Sequence, residues 1–349
     1  MVQLIDSLNA GGAERIAISF ANSLSDKSDF SGLVATRKEG DLKGKVQQNV
    51  HYLFLNRKKT FDVLAVIKFK NFIKKQQVAI IHAHGSAYFF AVLVKLVFFR
   101  IKIIYHEHNG NRVGADFYQN IVLRIASLFF YKTIAVTPEL QNWCSRNLFC
   151  KQPFYLPNFA TFSKNESRTT VLKNPNSKKI ICLANLRYPK NHQLLIRVFS
   201  KISAPNWSLH LIGKDYFDDY SKDIKNHITQ TNSENTIFVY DSRSDINSIL
   251  QQGQIGVLTS SYEGFPVSVL EYGMANLAVI APNVGTISTI IQDHHSGFIF
   301  NLEQDFEEKL QKLMHSDELQ IQFSSNLKNH VATHFSEQKV IQNLLDIYK

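Results

Sequence analysis

Residues 260–273 read SSYEGFPVSVLEYG, with seven residues between Glu263 and Glu271. Glu263 precedes the turn-forming Gly264-Phe265-Pro266, and Glu271 lies in the apolar segment that follows. Proline is favoured at the first helical position, because its missing N–H would have had no intrahelical partner there. The spacing therefore predicts a tight loop at Glu263, a helix from about Pro266, and Glu271 in the second turn of that helix. Loop amides and a helix N-terminus suit an anion such as phosphate. One carboxylate borders that position and a second lies deeper, and carboxylates accept hydrogen bonds from hydroxyls. The run reads as a cradle for a sugar joined to a phosphate. The plainer alternative is a loop-to-helix junction carrying two solvated glutamates.

Outward from this run, short β-rich segments alternate with helical ones, which predicts α/β construction on parallel sheets. Strands are expected at Val2–Leu8, Val78–His82, Lys102–Tyr105 and Thr133–Val136, with helices at Ala13–Leu24 and Ser86–Phe99 and from about Pro138. A polar loop is expected from His106 to Arg112, and a polar linker over 163–177. The pattern then restarts. Strands are expected at Ile180–Ala184, Trp207–Ile212, Thr236–Val239, Ile255–Leu258 and Ala278–Ala281, and helices at about Asn191–Ile202, Ser244–Gln251 and Pro266–Ala275. A chain of 349 residues is long for one core, so two domains are expected, 1–160 and 161–335, followed by an amphipathic stretch over 336–349.

Composition narrows the class. A hydrophobic content of 44% with 19% charged residues suits a soluble globular protein. Val2–Ile5 already reads as a strand with no basic stretch before it, so no signal peptide is expected. The most apolar stretch, Ala87 to Tyr105, is interrupted by Lys95, Arg100 and Lys102, which argues against a spanning helix. Three cysteines, Cys144, Cys150 and Cys182, are odd in number and lack zinc spacing, and a reduced cytosolic compartment is expected.

Charge is uneven. Residues 1–160 hold 21 Lys and Arg against 10 Asp and Glu, a net +11, whereas 161–349 hold 18 against 19, a net −1. The excess clusters at Arg57-Lys58-Lys59, Lys68, Lys70, Lys74-Lys75 and Lys95 to Lys102, interleaved with Phe61, Phe69, Phe72, Phe89, Phe90, Phe98 and Phe99. This mixture suits an anionic membrane surface. It equally suits a solvated basic face over core phenylalanines. No nucleic-acid motif accompanies it, and nucleic acid is not expected as a partner.

The longer form of the opening run, S-x-x-E-G-F-P-x-x-x-L-E, resembles the E-x7-E signature of retaining glycosyltransferases of family 4. Ser260, Glu263, Gly264, Phe265, Pro266, Leu270 and Glu271 match it, and nearly the whole chain can be read against that family. The resemblance implies the GT-B fold, two Rossmann-like domains facing a central cleft. It implies an acceptor-binding first domain, a nucleotide-sugar-binding second domain, and a last helix that packs back on the first. Transfer would run from a nucleoside-diphosphate sugar, UDP-sugar favoured, to a hydroxyl of a glycan or lipid-linked acceptor in cell-surface polysaccharide synthesis. No cofactor and no metal are expected. The location implied is cytoplasmic, or peripheral on the inner face of the membrane.

The same resemblance distributes roles. Glu271 would bind ribose hydroxyls, while Glu263 with the amides near Gly264, Phe265 and Pro266 would hold the sugar and phosphates. Lys190, in Tyr188-Pro189-Lys190-Asn191, matches the lysine that neutralises the leaving diphosphate. The family arginine usually stands where this chain has Asn185, with Arg187 two residues on as a substitute. Gly213 matches a glycine near the nucleotide, and Tyr240 to Arg243 the region that frames the base. Gly12, in Gly11-Gly12-Ala13, matches the glycine-rich first loop. His108 resembles the histidine that faces the transferred sugar, with His106 as a competitor, and domain closure would assemble the reactive cleft. His82, His84, His106 and His108 with Glu107 also raise a metal site, or histidines bonded to backbone. A family proline is replaced by Ala278 and a glycine by Asn276, which can adopt a left-handed cap. An epimerase of the same fold and an inactive transferase-like scaffold stay open, and Asn185 is what keeps the scaffold in play.

Overall fold

The computed structural model describes residues 1–9, 11–114, 118–150, 152–161, 169–202 and 204–349. The expected polar linker at 163–168 lies outside the described residues. The chain divides into two compact units, Met1–Phe159 with Glu337–Lys349, and Ala160–Ser336.

The first unit is built on a seven-stranded parallel sheet: β1 (Val2–Ser7), β2 (Gly32–Lys38), β3 (His51–Phe54), β4 (Ile80–His84), β5 (Lys102–Glu107), β6 (Lys132–Ala135) and β7 (Phe154–Tyr155), in the order β3-β2-β1-β4-β5-β6-β7. The second unit has a six-stranded parallel sheet: β8 (Lys178–Leu183), β9 (Trp207–Ile212), β10 (Ile237–Tyr240), β11 (Ile255–Val257), β12 (Ala278–Pro282) and β13 (Phe298–Phe300), in the order β10-β9-β8-β11-β12-β13. Both are Rossmann-like. Strands buried on both faces read as continuous apolar runs, and Ala278–Pro282 is apolar and buried at all five positions. In each sheet the order reverses once, between β1 and β4 and between β8 and β11. Loops leaving the C-terminal ends of the strands that flank such a reversal are where open α/β sheets bind ligands.

Several expected boundaries move. β5 runs on to Glu107, so His106 and Glu107 are fully buried strand residues and not loop residues. The helix after Glu263 covers Val267–Met274, and Pro266 is its N-cap instead of its first residue. That helix ends through Asn276 at φ +64°, with the Leu277 N–H donating to Tyr272 O at 3.0 Å. This is the left-handed cap that the asparagine allows. Arg57 leaves the basic surface altogether: it is 3% exposed, bonds Asp6 at 3.1 Å and lies over the Phe90 ring. Phe69 and Phe90 are core residues as well.

Candidate functional site

Two loops meet at the reversal of the second sheet. One follows β8 and carries residues 184–191, and the other follows β11 and carries 258–266. Backbone and side-chain bonds join them: Ser261 N–H donates to Pro189 O at 2.9 Å, and Thr259 Oγ1 donates to the carbonyls of Lys190 and Asn191. On that frame Lys190 Nζ donates to Glu263 Oε1 at 2.5 Å, and Ser260 Oγ donates to the same oxygen at 2.6 Å. Gly285, at φ +55°, packs so closely under the loop that a Cβ there would lie 2.1 Å from Glu263 O. Thr286 supplies both its N–H and its Oγ1 to Gly264 O. Glu263 and the amides after it are therefore held from below and from the side. Phe265 and Pro266 are buried, and Gly264 is half-buried.

Glu271 is positioned by its neighbour. The Tyr272 hydroxyl accepts the Leu183 N–H at 2.6 Å and donates to Val257 O at 3.2 Å, so one side chain pins the helix to the ends of both β8 and β11. Gly256 makes room, because a Cβ on it would meet the Tyr272 ring at 2.5 Å. Burial pushes this phenol well above its ordinary range, and the Glu271 and Glu263 carboxylates add to the shift. Below them Cys182 on β8 is pushed up to about 12, by burial first. Sequence reasoning passed over Tyr272. Its only signal was a glycine, Gly256, inside an apolar strand, which marks a close approach.

The remaining second-unit residues separate into two groups. Arg187 is exposed, on the same loop as Lys190. Asn185 Oδ1 accepts the Lys214 N–H at 3.0 Å, which ties this loop to the one after β9. Gly213 permits that approach, since a Cβ there would lie 2.1 Å from Ala184 O. Tyr240, expected to help frame a base, turns inward: it is 8% exposed and its hydroxyl bonds the Lys173 N–H and His210.

In the first unit Gly11 caps the helix Gly12–Ser25. A Cβ on Gly12 would meet nothing within 4 Å, so the fold itself does not require glycine there. His108 follows β5 and is partly exposed, whereas His106, its competitor, is fully buried. Among the described residues these four histidines bond side chains and not backbone. His82 pairs with Tyr348 and His106, and His84 pairs with Gln3 and His108. Burial holds all four neutral, His82 and His108 down to about 3. His82, His84 and His106 bring ligand atoms within 4.8 Å of one another, which is metal-site spacing. Five of their six ring nitrogens already hold hydrogen bonds, so an ion would have to break that network. Glu107 cannot join them: its carboxylate is taken by Tyr105, the Asn109 N–H and Arg112.

Two family descriptions match the chain in succession, Glycosyltransferase Family 4 over residues 10–158 and Glycosyl transferases group 1 over 163–330. The fold and these matches make the chain a glycosyltransferase of the GT-B fold, related to several members of those families. Among its relatives is the Escherichia coli UDP-Gal:alpha-D-GlcNAc-diphosphoundecaprenol alpha-1,3-galactosyltransferase, 20% identical over 99% of this chain and 95% of that one. The Anabaena protein HepE, solved with UDP and glucose, superposes with a TM-score of 0.84 at 17% identity, covering 99% of this chain and 98% of that one. A single-residue mutant of Staphylococcus aureus TarM, solved with Fondaparinux, alpha-GlcNAc-glycerol and UDP, gives a TM-score of 0.79 at 13% identity over 100% of this chain and 99% of that one.

Proposed function

We propose that the chain transfers a sugar with retention from a UDP-sugar to a hydroxyl of a lipid-linked glycan, in the building of a bacterial surface polysaccharide. One observation carries the reading: Lys190 and Glu263 meet at the sheet reversal, where a diphosphate and its sugar would lie. In this reading Lys190, with Arg187 beside it, stabilises the departing diphosphate, which is electrostatic catalysis aimed at developing charge. Glu263 and the amides of Gly264 and Phe265 hold the sugar and phosphates, and Glu271 takes the ribose hydroxyls. In the same reading Gly213 borders the nucleotide, Gly12 binds the donor and His108 contacts the transferred sugar.

The acceptor side is read from the surface of the first unit. Leu64, Phe61 and Phe99 are 80%, 69% and 78% exposed, and Ile125 and Leu128 are exposed as well. Lys58, Lys59, Lys68, Lys74, Lys75 and Arg100 of the same unit are exposed as well. Exposed large apolar side chains together with exposed cations suit an anionic bilayer. Among the described residues no helix is long and apolar enough to cross a membrane. Relatives that act on diphosphoundecaprenol-linked sugars favour the same acceptor class.

The test is a thermal-shift screen with UDP-, GDP- and ADP-sugars on the wild type and on Glu271→Ala. A ligand that binds only the native state raises apparent stability. A shift with UDP-sugars that disappears in the variant is expected. A shift confined to another base, or one kept by Glu271→Ala, would overturn the donor reading.

A further inference from the structure

Gln3 lies on β1, one strand from β4, and its amide is the junction of two hydrogen-bonded branches. Oε1 faces His84 Nε2 at 2.8 Å, and Nε2 donates to the Tyr348 hydroxyl at 3.0 Å. From His84 the first branch continues through Nδ1 to His108 Nε2 at 2.9 Å. The second continues from Tyr348 to His82 Nδ1 at 2.7 Å, then from His82 Nε2 to His106 Nδ1 at 3.1 Å.

A neutral imidazole carries one proton, so each ring donates from one nitrogen and accepts at the other. Every ring here is held neutral by burial, and donor roles then propagate. An amide oxygen only accepts, so His84 carries its proton on Nε2 and offers a lone pair at Nδ1. His108 must therefore donate from Nε2. Along the second branch Tyr348 accepts from Gln3 and donates to His82 Nδ1, and His82 donates from Nε2 to His106. All four rings share one tautomer. The second branch ends at His106 Nε2, which has no partner among the described residues. Turning the Gln3 amide over would reverse every proton in both branches.

We propose that Gln3 sets a single Nε2–H tautomer across His84, His108, His82 and His106, so that His108 presents the Nδ1 lone pair as a hydrogen-bond acceptor for a hydroxyl of the transferred sugar. Gln3 and His84 are positioning residues, acting through His108. The sugar contact rests on the assignment of His108 made above, and the tautomer order does not. His108 is the only one of the four with exposure, and its Nδ1 is the ring atom with no hydrogen bond among the described residues. The site would favour a donor whose sugar has a hydroxyl to give at that point over one carrying only an acceptor there.

The full chain labelled with 15N-histidine tests both parts by long-range 15N–1H correlation, which distinguishes Nε2–H from Nδ1–H rings. All four rings are expected as Nε2–H at neutral pH. The bare Nδ1 resonance of His108 should then move on addition of the UDP-, GDP- or ADP-sugar that binds, and stay in place with the matching free nucleotide. Any of the four rings protonated on Nδ1 overturns the tautomer inference and leaves the donor site standing. Ordered rings with no Nδ1 response to a bound donor overturn the sugar contact instead. Gln3→Met should convert His84 and His108 to mixed tautomers and lower kcat more than it raises the donor KM. If that variant does not fold, the wild-type spectra decide alone.

Discussion

Lys190 Nζ sits 2.5 Å from Glu263 Oε1, although 73 residues separate the two in the chain. Their loops leave adjacent parallel strands in the same direction, so the ends of those loops are brought together without further design. With side chains only 20% and 10% exposed, the pair is screened little by water. Lys190→Met should lower kcat by about 10²- to 10³-fold, the effect of losing one group aimed at transition-state charge. It should also cost about 2 kcal/mol of stability by stranding the carboxylate. Lys190→Met with Glu263→Gln should recover stability and not rate. Urea midpoints and initial rates on the three variants check this, and additive stability losses would count against a coupled pair.

Tyr272→Phe removes one oxygen from a fully buried residue. The Leu183 N–H and Val257 O then lose their shared partner, at a cost of about 1–3 kcal/mol. Because the same ring anchors the helix that carries Glu271, the nucleotide-induced thermal shift should shrink along with the melting temperature. A variant that melts early yet keeps the full shift would detach Glu271 placement from Tyr272.

Acidification should unfold the protein through its buried histidines. His82 and His108 stay neutral to about 3, His192 and His210 to about 4, and His84 and His106 are also held below their ordinary value. In the unfolded chain the same rings protonate near pH 6.5. Between those limits the unfolded state binds more protons, so stability rises with pH. The contribution is complete above pH 6.5 and is lost as pH falls towards 3. Each ring adds about 1.4 kcal/mol per pH unit to the slope inside that window. Unfolding free energies at pH 4.5 to 6.5 should rise steeply with pH, and His210→Gln should flatten the slope by one proton. A flat profile would refute the neutral-ring account.

The protein should sediment with anionic vesicles and not with neutral ones, through the exposed apolar and basic residues of its first unit. Phe61→Ser with Leu64→Ser and Phe99→Ser should abolish binding, while each of Lys58→Gln, Lys59→Gln and Arg100→Gln should weaken it roughly fivefold, as about 1 kcal/mol per charge implies. Binding indifferent to vesicle charge would leave these residues as solvated surface.

Sequence alone determined the α/β alternation, the strands on either side of both sheet reversals, and the loop that carries Glu263. Those features are local. A strand buried on both faces is written as a continuous apolar run, as in Ile180–Leu183, and a proline next to a glycine marks a turn before a helix. Polar helices such as Asp219–Gln230, which buries only Ser221, Ile224 and Ile228, left too faint a period to read. The short edge strand His51–Phe54 was equally weak. Tertiary structure decided the partnerships. Parallel register sets Gln3 beside His82 and His84 beside His106. The final helix then brings Tyr348 to Gln3 across 345 positions. No local pattern encodes such a meeting, because side chains in a sheet find their neighbours across strands and not along them.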